Sequence, residues 1–130
     1  MIRPATTDDR LGILVLLDRC GLLHPDLTYD TWSHPTLVAE EDGQIVGMIQ
    51  GLIGYPQSYI ADVAVAPEYQ KQGIGRKLYA AVEQVFKSAG SQAWCGLIDA
   101  ENAEMIAAAP HLGAASVRGG AIFVKTLGDN

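Results

Sequence analysis

The segment from Val63 to Phe86 reads VAVAPEYQKQGIGRKLYAAVEQVF. A short apolar strand passes through Pro67 into a turn with the spacing Q-x-x-G-x-G at Gln70, Gly73 and Gly75, and this turn opens a helix. Gly73 and Gly75 carry no Cβ, so the backbone there can approach a ligand closely and take unusual dihedrals at little cost. Amides ahead of the helix and within its first turn have no intrahelical acceptor. They point outward with the positive end of the helix dipole, which suits a phosphate. Arg76 and Lys77 follow at the same end, where the dipole by itself favours acids, and an anion held there accounts for them. A loop that caps a helix and binds nothing has the same local pattern, so the turn alone leaves both readings open. Two other phosphate sites are excluded. No Gly-Lys-Ser or Gly-Lys-Thr exists for a P-loop, and Leu78 stands where a dinucleotide fingerprint needs its third glycine.

Other chemistry-bearing residues are sparse. His24, His34 and His111 lie in expected loops without a second ligand at metal spacing, so no metal site is expected. Cys20 and Cys95 form no C-x-x-C pair and read as buried thiols in a reducing compartment. The formal net charge is −6 with only nine Lys and Arg, which argues against nucleic acid as a partner. An acidic surface would attract a cation such as an amine.

The elements that must position the turn come from periodicity. The chain has 130 residues, 48% hydrophobic and 18% charged, the size and composition of one globular domain, 1–130, with a real core. No basic segment followed by an apolar run opens the chain, and no stretch approaches the roughly 18 apolar residues of a membrane span. A soluble cytoplasmic protein without a membrane partner is expected. Ile2 to Ala5 reads as a strand. Thr6 and Asp9 resemble a capping box that opens a helix, with Leu11, Leu14 and Val15 as its apolar face and Gly21 as its end. Interruptions at His24-Pro25 and His34-Pro35 make 24–35 a loop. Strands Thr36–Glu41 and Gln44–Ile53 flank Asp42-Gly43, a two-residue hairpin turn. Tyr59–Val65 is a further strand, and Ile74, Leu78, Ala81, Val82, Val85 and Phe86 form one face of a helix ending near Gly90. Ala93–Ile98 is a buried strand. Glu101–Ala109 is a short helix stopped by Pro110, and Ala115–Val117 pairs with Ala121–Thr126 about Gly119-Gly120. The order β-α-β-β-β-α-β-α-β-β predicts an α/β chain, a mixed sheet with helices on it.

The turn, the strand before it and this order together resemble the GNAT superfamily of acyl-CoA-dependent N-acetyltransferases. The family signature [Q/R]-x-x-G-x-[G/A] is matched by Gln70, Lys71, Gln72, Gly73, Ile74 and Gly75. The strand IADVAVAPEY, the opening IRPATTDD, the hairpin EEDGQIVGMI and the stretch DAENAEMIAAAPHLGA fall in family order over nearly the whole chain. The resemblance implies a single-domain fold with a mixed, mostly antiparallel central sheet flanked by helices. It also implies transfer of an acetyl group from acetyl-CoA to a primary amine, on a small molecule or a protein, by a monomer or homodimer.

The same resemblance assigns roles. Backbone groups of Val63, Ala64 and Val65 would pair with the pantetheine arm and thioester, and Gln70 to Arg76 would cradle the pyrophosphate. Asn102 would contact pantetheine; a plain helix N-cap explains it equally well. Asp62, just before the carbonyl-binding segment, is the candidate base, with Asp99 and Glu101 behind it and Leu97 where some members carry a glutamate. A structural Asp62, paired with an arginine or a backbone amide, is the competing reading. The tyrosine that protonates the departing thiolate in many members is replaced by Ala109. Water, Tyr55, Tyr59 or His111 would then supply the proton; the other outcome is a catalytically weak acyl-CoA sensor or interaction module.

Overall fold

The computed structural model describes residues 1–22, 34–97, 109–117 and 122–128. Expectations for Asn102, Asp99, Glu101 and His24, for the 101–109 helix and for the Gly119-Gly120 turn lie outside the described residues.

Seven strands form one sheet: β1 (Ile2–Pro4), β2 (Thr36–Glu41), β3 (Gln44–Leu52), β4 (Gln57–Val65), β5 (Ala93–Leu97), β6 (Ala115–Val117) and β7 (Ile122–Thr126). Their order is β1-β2-β3-β4-β5-β7-β6, and every neighbouring pair is antiparallel except β4 with β5. The helix between those two strands makes the parallel pair possible, because a parallel neighbour needs a crossover rather than a hairpin. This is a mixed α/β fold with a mostly antiparallel sheet. Among the described residues no helix is long and apolar enough to cross a membrane.

Local chemistry builds the hairpin and both helix starts. Asp42 and Gly43 both take positive φ, 51° and 78°, the turn whose twist matches its flanking strands. Before α1 (Arg10–Arg19), Thr6 caps a 3₁₀ turn, Thr7–Asp9. The buried Asp9 carboxylate accepts from the Thr6 N–H at 2.7 Å and from the Arg3 Nη1 and Nη2 groups at 2.7 and 2.9 Å. This bidentate grip ties β1 to the helix start and holds the Asp9 carboxyl down at about 2.

The buried face of α1 differs from the expected one. Ile13, Leu16 and Leu17 are buried, whereas Leu11 is 73% and Val15 51% exposed. The run LGILVLL is apolar all round, so its periodicity selects no face; docking on β3 does, where Gly12 approaches Ile45 so closely that a Cβ would lie 3.0 Å from its Cγ1. The helix α2 (Ile74–Ser88) buries Leu78, Tyr79, Val82 and Phe86. It lies on β3 at Gly47 and Gly51, where added Cβ atoms would meet Leu78 at 3.1 Å and the Phe86 ring at 2.5 Å. Pro110, expected to stop a helix, lies inside the 3₁₀ turn Ala109–Leu112.

Candidate active site

The site is built on the second half of β4, beyond its described pairing with β5. Among the described residues their parallel ladder runs from Gln57↔Ala93 to Ile60↔Gly96. At the same level β4 bulges: Gln50 faces Asp62 and Gly51 faces Ile60, so Ala61 has no partner on β3. Beyond the bulge the pairing alternates. Ala66 N–H donates to Val46 O at 2.8 Å, which sets Ala66, Ala64 and Asp62 as the residues bonded to β3. Val63 and Val65 therefore turn their backbone groups toward the open side, where no described strand meets them. Of the three residues expected to offer backbone groups there, Ala64 is committed to Met48.

The open edge runs through a 3₁₀ turn, Pro67–Tyr69, into the Q-x-x-G-x-G segment. Gln70 is extended, Lys71 takes φ 64° and Gly73 takes φ 87° as the N-cap of α2. A lysine in the left-handed region costs roughly 1 kcal/mol, so the turn is held there by its surroundings. The first intrahelical bond is Lys77 N–H to Gly73 O at 3.1 Å, and no side chain caps the helix. The amides of Ile74, Gly75 and Arg76 are thus without intrahelical acceptors. No acid lies in the first turn, and Lys71, Arg76 and Lys77 have no ion-pair partner among the described residues. Glu68, the acid nearest in sequence, is paired with Arg19. A Cβ on Gly75 would touch only Val65 Cγ2, at 3.9 Å, so packing within the chain does not require glycine there. Orphan amides, unpaired cations and an unneeded glycine fit a diphosphate.

Asp62 lies on the opposite side of the sheet from α2. Gly47 and Gly51 face α2, so Gln50 and its cross-strand partner Asp62 face away. The carboxylate is half-buried and has no hydrogen-bond or ion-pair partner among the described residues. Burial without compensation pushes its carboxyl above the ordinary range. Thr36, Gln50 and Asp62 form a polar row across three strands, with Gln50 Nε2 donating to Thr36 Oγ1 at 3.2 Å. The sequence reading passes over Gln50 and Thr36; the signal was a lone glutamine within the apolar run VGMIQGLI.

The bulge has a second effect. Tyr59 is opposite Leu52, on the same face as Gln50, so Tyr59 and Asp62 share a face despite their odd spacing. Tyr59 is 48% exposed. Tyr55 is 74% exposed, and its hydroxyl accepts from Gln92 Nε2 at 3.4 Å. Among the described residues no group of three His, Cys, Asp or Glu could hold a metal ion.

Three solved structures with similar folds are a PaiA N-acetyltransferase from Thermoplasma acidophilum in complex with coenzyme A, a ribosomal-protein-alanine N-acetyltransferase from Brucella melitensis, and an N-acetylglutamate synthase from Neisseria gonorrhoeae complexed with coenzyme A and L-arginine. The first has a TM-score of 0.83 at 16% identity, covering 98% of each chain. The second has 0.80 at 23% identity, covering 98% of this chain and 99% of that one. The third has 0.81 at 22% identity, covering 98% of this chain and 33% of that one. At these identities the likeness shows a shared fold. No curated protein matches the chain significantly. The sequence model of the Acetyltransferase (GNAT) family matches residues 15–114, which run from α1 through the open strand, the glycine turn and α2, and the chain belongs to that family.

Proposed function

We propose that this protein moves an acetyl group from acetyl-CoA to a primary amine by direct transfer. The observation that carries the reading is an edge of β4, open among the described residues, that leads without interruption into an uncapped helix end whose cations have no described ion-pair partner. Coenzyme A bound by fold relatives from Thermoplasma and Neisseria supports it. Pantetheine pairs along Val63 and Val65, and the segment Gln70 to Arg76, including Lys71, Gln72, Gly73, Ile74 and Gly75, surrounds the pyrophosphate. Asn102 is an additional pantetheine contact in this proposal.

An alkylammonium with a pKa near ~10.4 must lose a proton before it can attack. Asp62, desolvated and lacking a counter-charge, accepts that proton directly or through water. As the amine nitrogen bonds to the thioester carbon, Val63 N–H stabilises the charge growing on the carbonyl oxygen. The carbon–sulfur bond then breaks and the thiolate takes a proton. Tyr59, on Asp62's face, is favoured as its donor over the more exposed Tyr55. Two cysteines with no disulfide accord with a reducing compartment such as the cytoplasm.

Ala109, in place of the family's tyrosine, favours a second reading: a catalytically weak acyl-CoA-binding module. Free thiol release from acetyl-CoA across an amine library separates the two. Release with at least one primary amine is expected; CoA binding without release from any amine would select the module. If CoA leaves the melting temperature unchanged, both readings fail.

A further inference from the structure

While α1 buries Ile13, Leu16 and Leu17 against the sheet, Leu11, Leu14, Val15 and Asp18 share its other side, at the i, i+3, i+4, i+7 spacing of one helical face. Leu11 and Val15 are exposed, and Leu14 is half-buried outside the core cluster. The charges at the ends of this apolar stripe are placed against the helix itself. Arg10 is the first residue of α1 and Asp18 the last but one, both exposed, and each stands at the end where the helix dipole disfavours its sign. Neither has an ion-pair partner among the described residues, whereas Arg19 is paired with Glu68. They cannot pair with each other, because the helix separates them by about 12 Å along its axis.

We propose that this face pairs with the same face of a second copy of the chain, the two α1 helices lying antiparallel about a two-fold axis at Leu14. Arg10 stands as far before Leu14 as Asp18 stands after it. The axis therefore sets Arg10 of each copy beside Asp18 of the other, with Leu11, Leu14 and Val15 of both between them. Each charge then also lies at the favourable end of the other helix's dipole. An unrelated partner would give no reason for opposite charges placed symmetrically about the middle of the stripe; a two-fold axis does. One helix face per copy is a small interface, which puts the dimer in the micromolar range. The pairing is independent of the acetyl-transfer reading.

Sedimentation velocity on the full chain, from submicromolar to high micromolar concentration, should show a monomer–dimer equilibrium. Arg10→Asp and Asp18→Arg each set like charges against one another at two symmetric places, and each should raise the dissociation constant about tenfold or more. The double variant restores opposite charges and should return the dissociation constant to the wild-type value. Leu11→Ser should weaken the dimer by removing apolar contact at its centre. Both reversals agree with the helix dipole, so neither should lower the melting temperature measured below the dissociation constant, and loss of pairing is separable from loss of fold. A wild type that stays monomeric over the whole range would overturn the proposal, and so would a dimer indifferent to both reversals. Single losses that the double variant fails to repair would overturn the antiparallel pairing.

Discussion

Ile60 of β4 pairs with Gly96 of β5, the last pair of their parallel ladder among the described residues. A Cβ on Gly96 would sit 3.5 Å from Ile60 Cβ, an ordinary packing distance. One residue later Ala61 bulges out of the ladder with β3. The bulge resets the alternation of the strand, which sets the backbone groups of Val63 on the edge away from β3 and Asp62 on the face away from α2.

Gly75→Glu should leave the fold intact and remove CoA binding. Intramolecular space is available, because the nearest atom to a Cβ there is 3.9 Å away. The carboxylate, however, would stand against the expected phosphates at the end of the helix that orphan amides make positive. CoA should raise the melting temperature of the wild type and not that of the variant. Gly75→Ala, in contrast, should stabilise the free protein by up to about 1 kcal/mol through helix propensity. A CoA-induced shift that survives Gly75→Glu would dissociate the turn from phosphate binding.

Asp62→Asn should trade activity for stability. Turnover at neutral pH should fall by about 100-fold or more, with a smaller loss at high pH where free amine is abundant. Because burial raises the Asp62 carboxyl in the folded state, its effect on stability runs with protonation. The favourable state is complete below the ordinary value of 3.8 and is lost as pH rises through the raised folded value. The asparagine variant escapes that loss, so it should melt higher than wild type at pH 7 and equal to it near pH 3. Melting curves at the two pH values check the sign.

Tyr59→Phe should lower kcat for acetyl transfer by about tenfold to 100-fold if the phenol protonates the departing thiolate, a general-acid contribution at the lower end of its range. The melting temperature should hardly move, since Tyr59 is half exposed. Tyr55→Phe is the control and should keep the wild-type rate. Equal rates for all three proteins would leave water as the proton source.

Asp9 makes a structural pH dependence of the opposite sign. Its folded carboxyl sits near 2 against an ordinary 3.8, because Arg3 and the Thr6 amide favour the ionised form. Stability from this group is full above the ordinary value and disappears as pH falls through about 2, worth about 2 kcal/mol in all. Asp9→Asn should therefore cost roughly that much at pH 7 and almost nothing at pH 2, as read by urea titration at both.

Gly51→Ala tests how the site is held from below. An added Cβ would lie 2.5 Å from Phe86 Cζ and 3.1 Å from Val82 Cγ2, and both side chains are fully buried. Overpacking of this kind costs about 1–3 kcal/mol. It also pushes α2 off β3, so the helix end that carries the glycine turn should shift and CoA affinity should fall with stability.

Features that depend on a few adjacent residues were legible in the sequence. Asp42-Gly43 takes a two-residue turn because both residues tolerate positive φ. Thr6 and Asp9 make their capping box three residues apart. The apolar face of α2 is a clean helical stripe, and the glycines of Q-x-x-G-x-G mark the turn that opens it. The tertiary structure alone decided what depends on distant partners. The run LGILVLL offers every side of α1 equally, and docking on β3 chose Ile13, Leu16 and Leu17. No local pattern foretells that Ala61 bulges, because that outcome is set by the register of β4 against β3 across the sheet. The bulge put Tyr59 beside Asp62 and divided Val63 from Ala64, and the fold bent Gln70 back onto Val65. Local conformational preference is a property of the chain; register and face are properties of what the chain packs against.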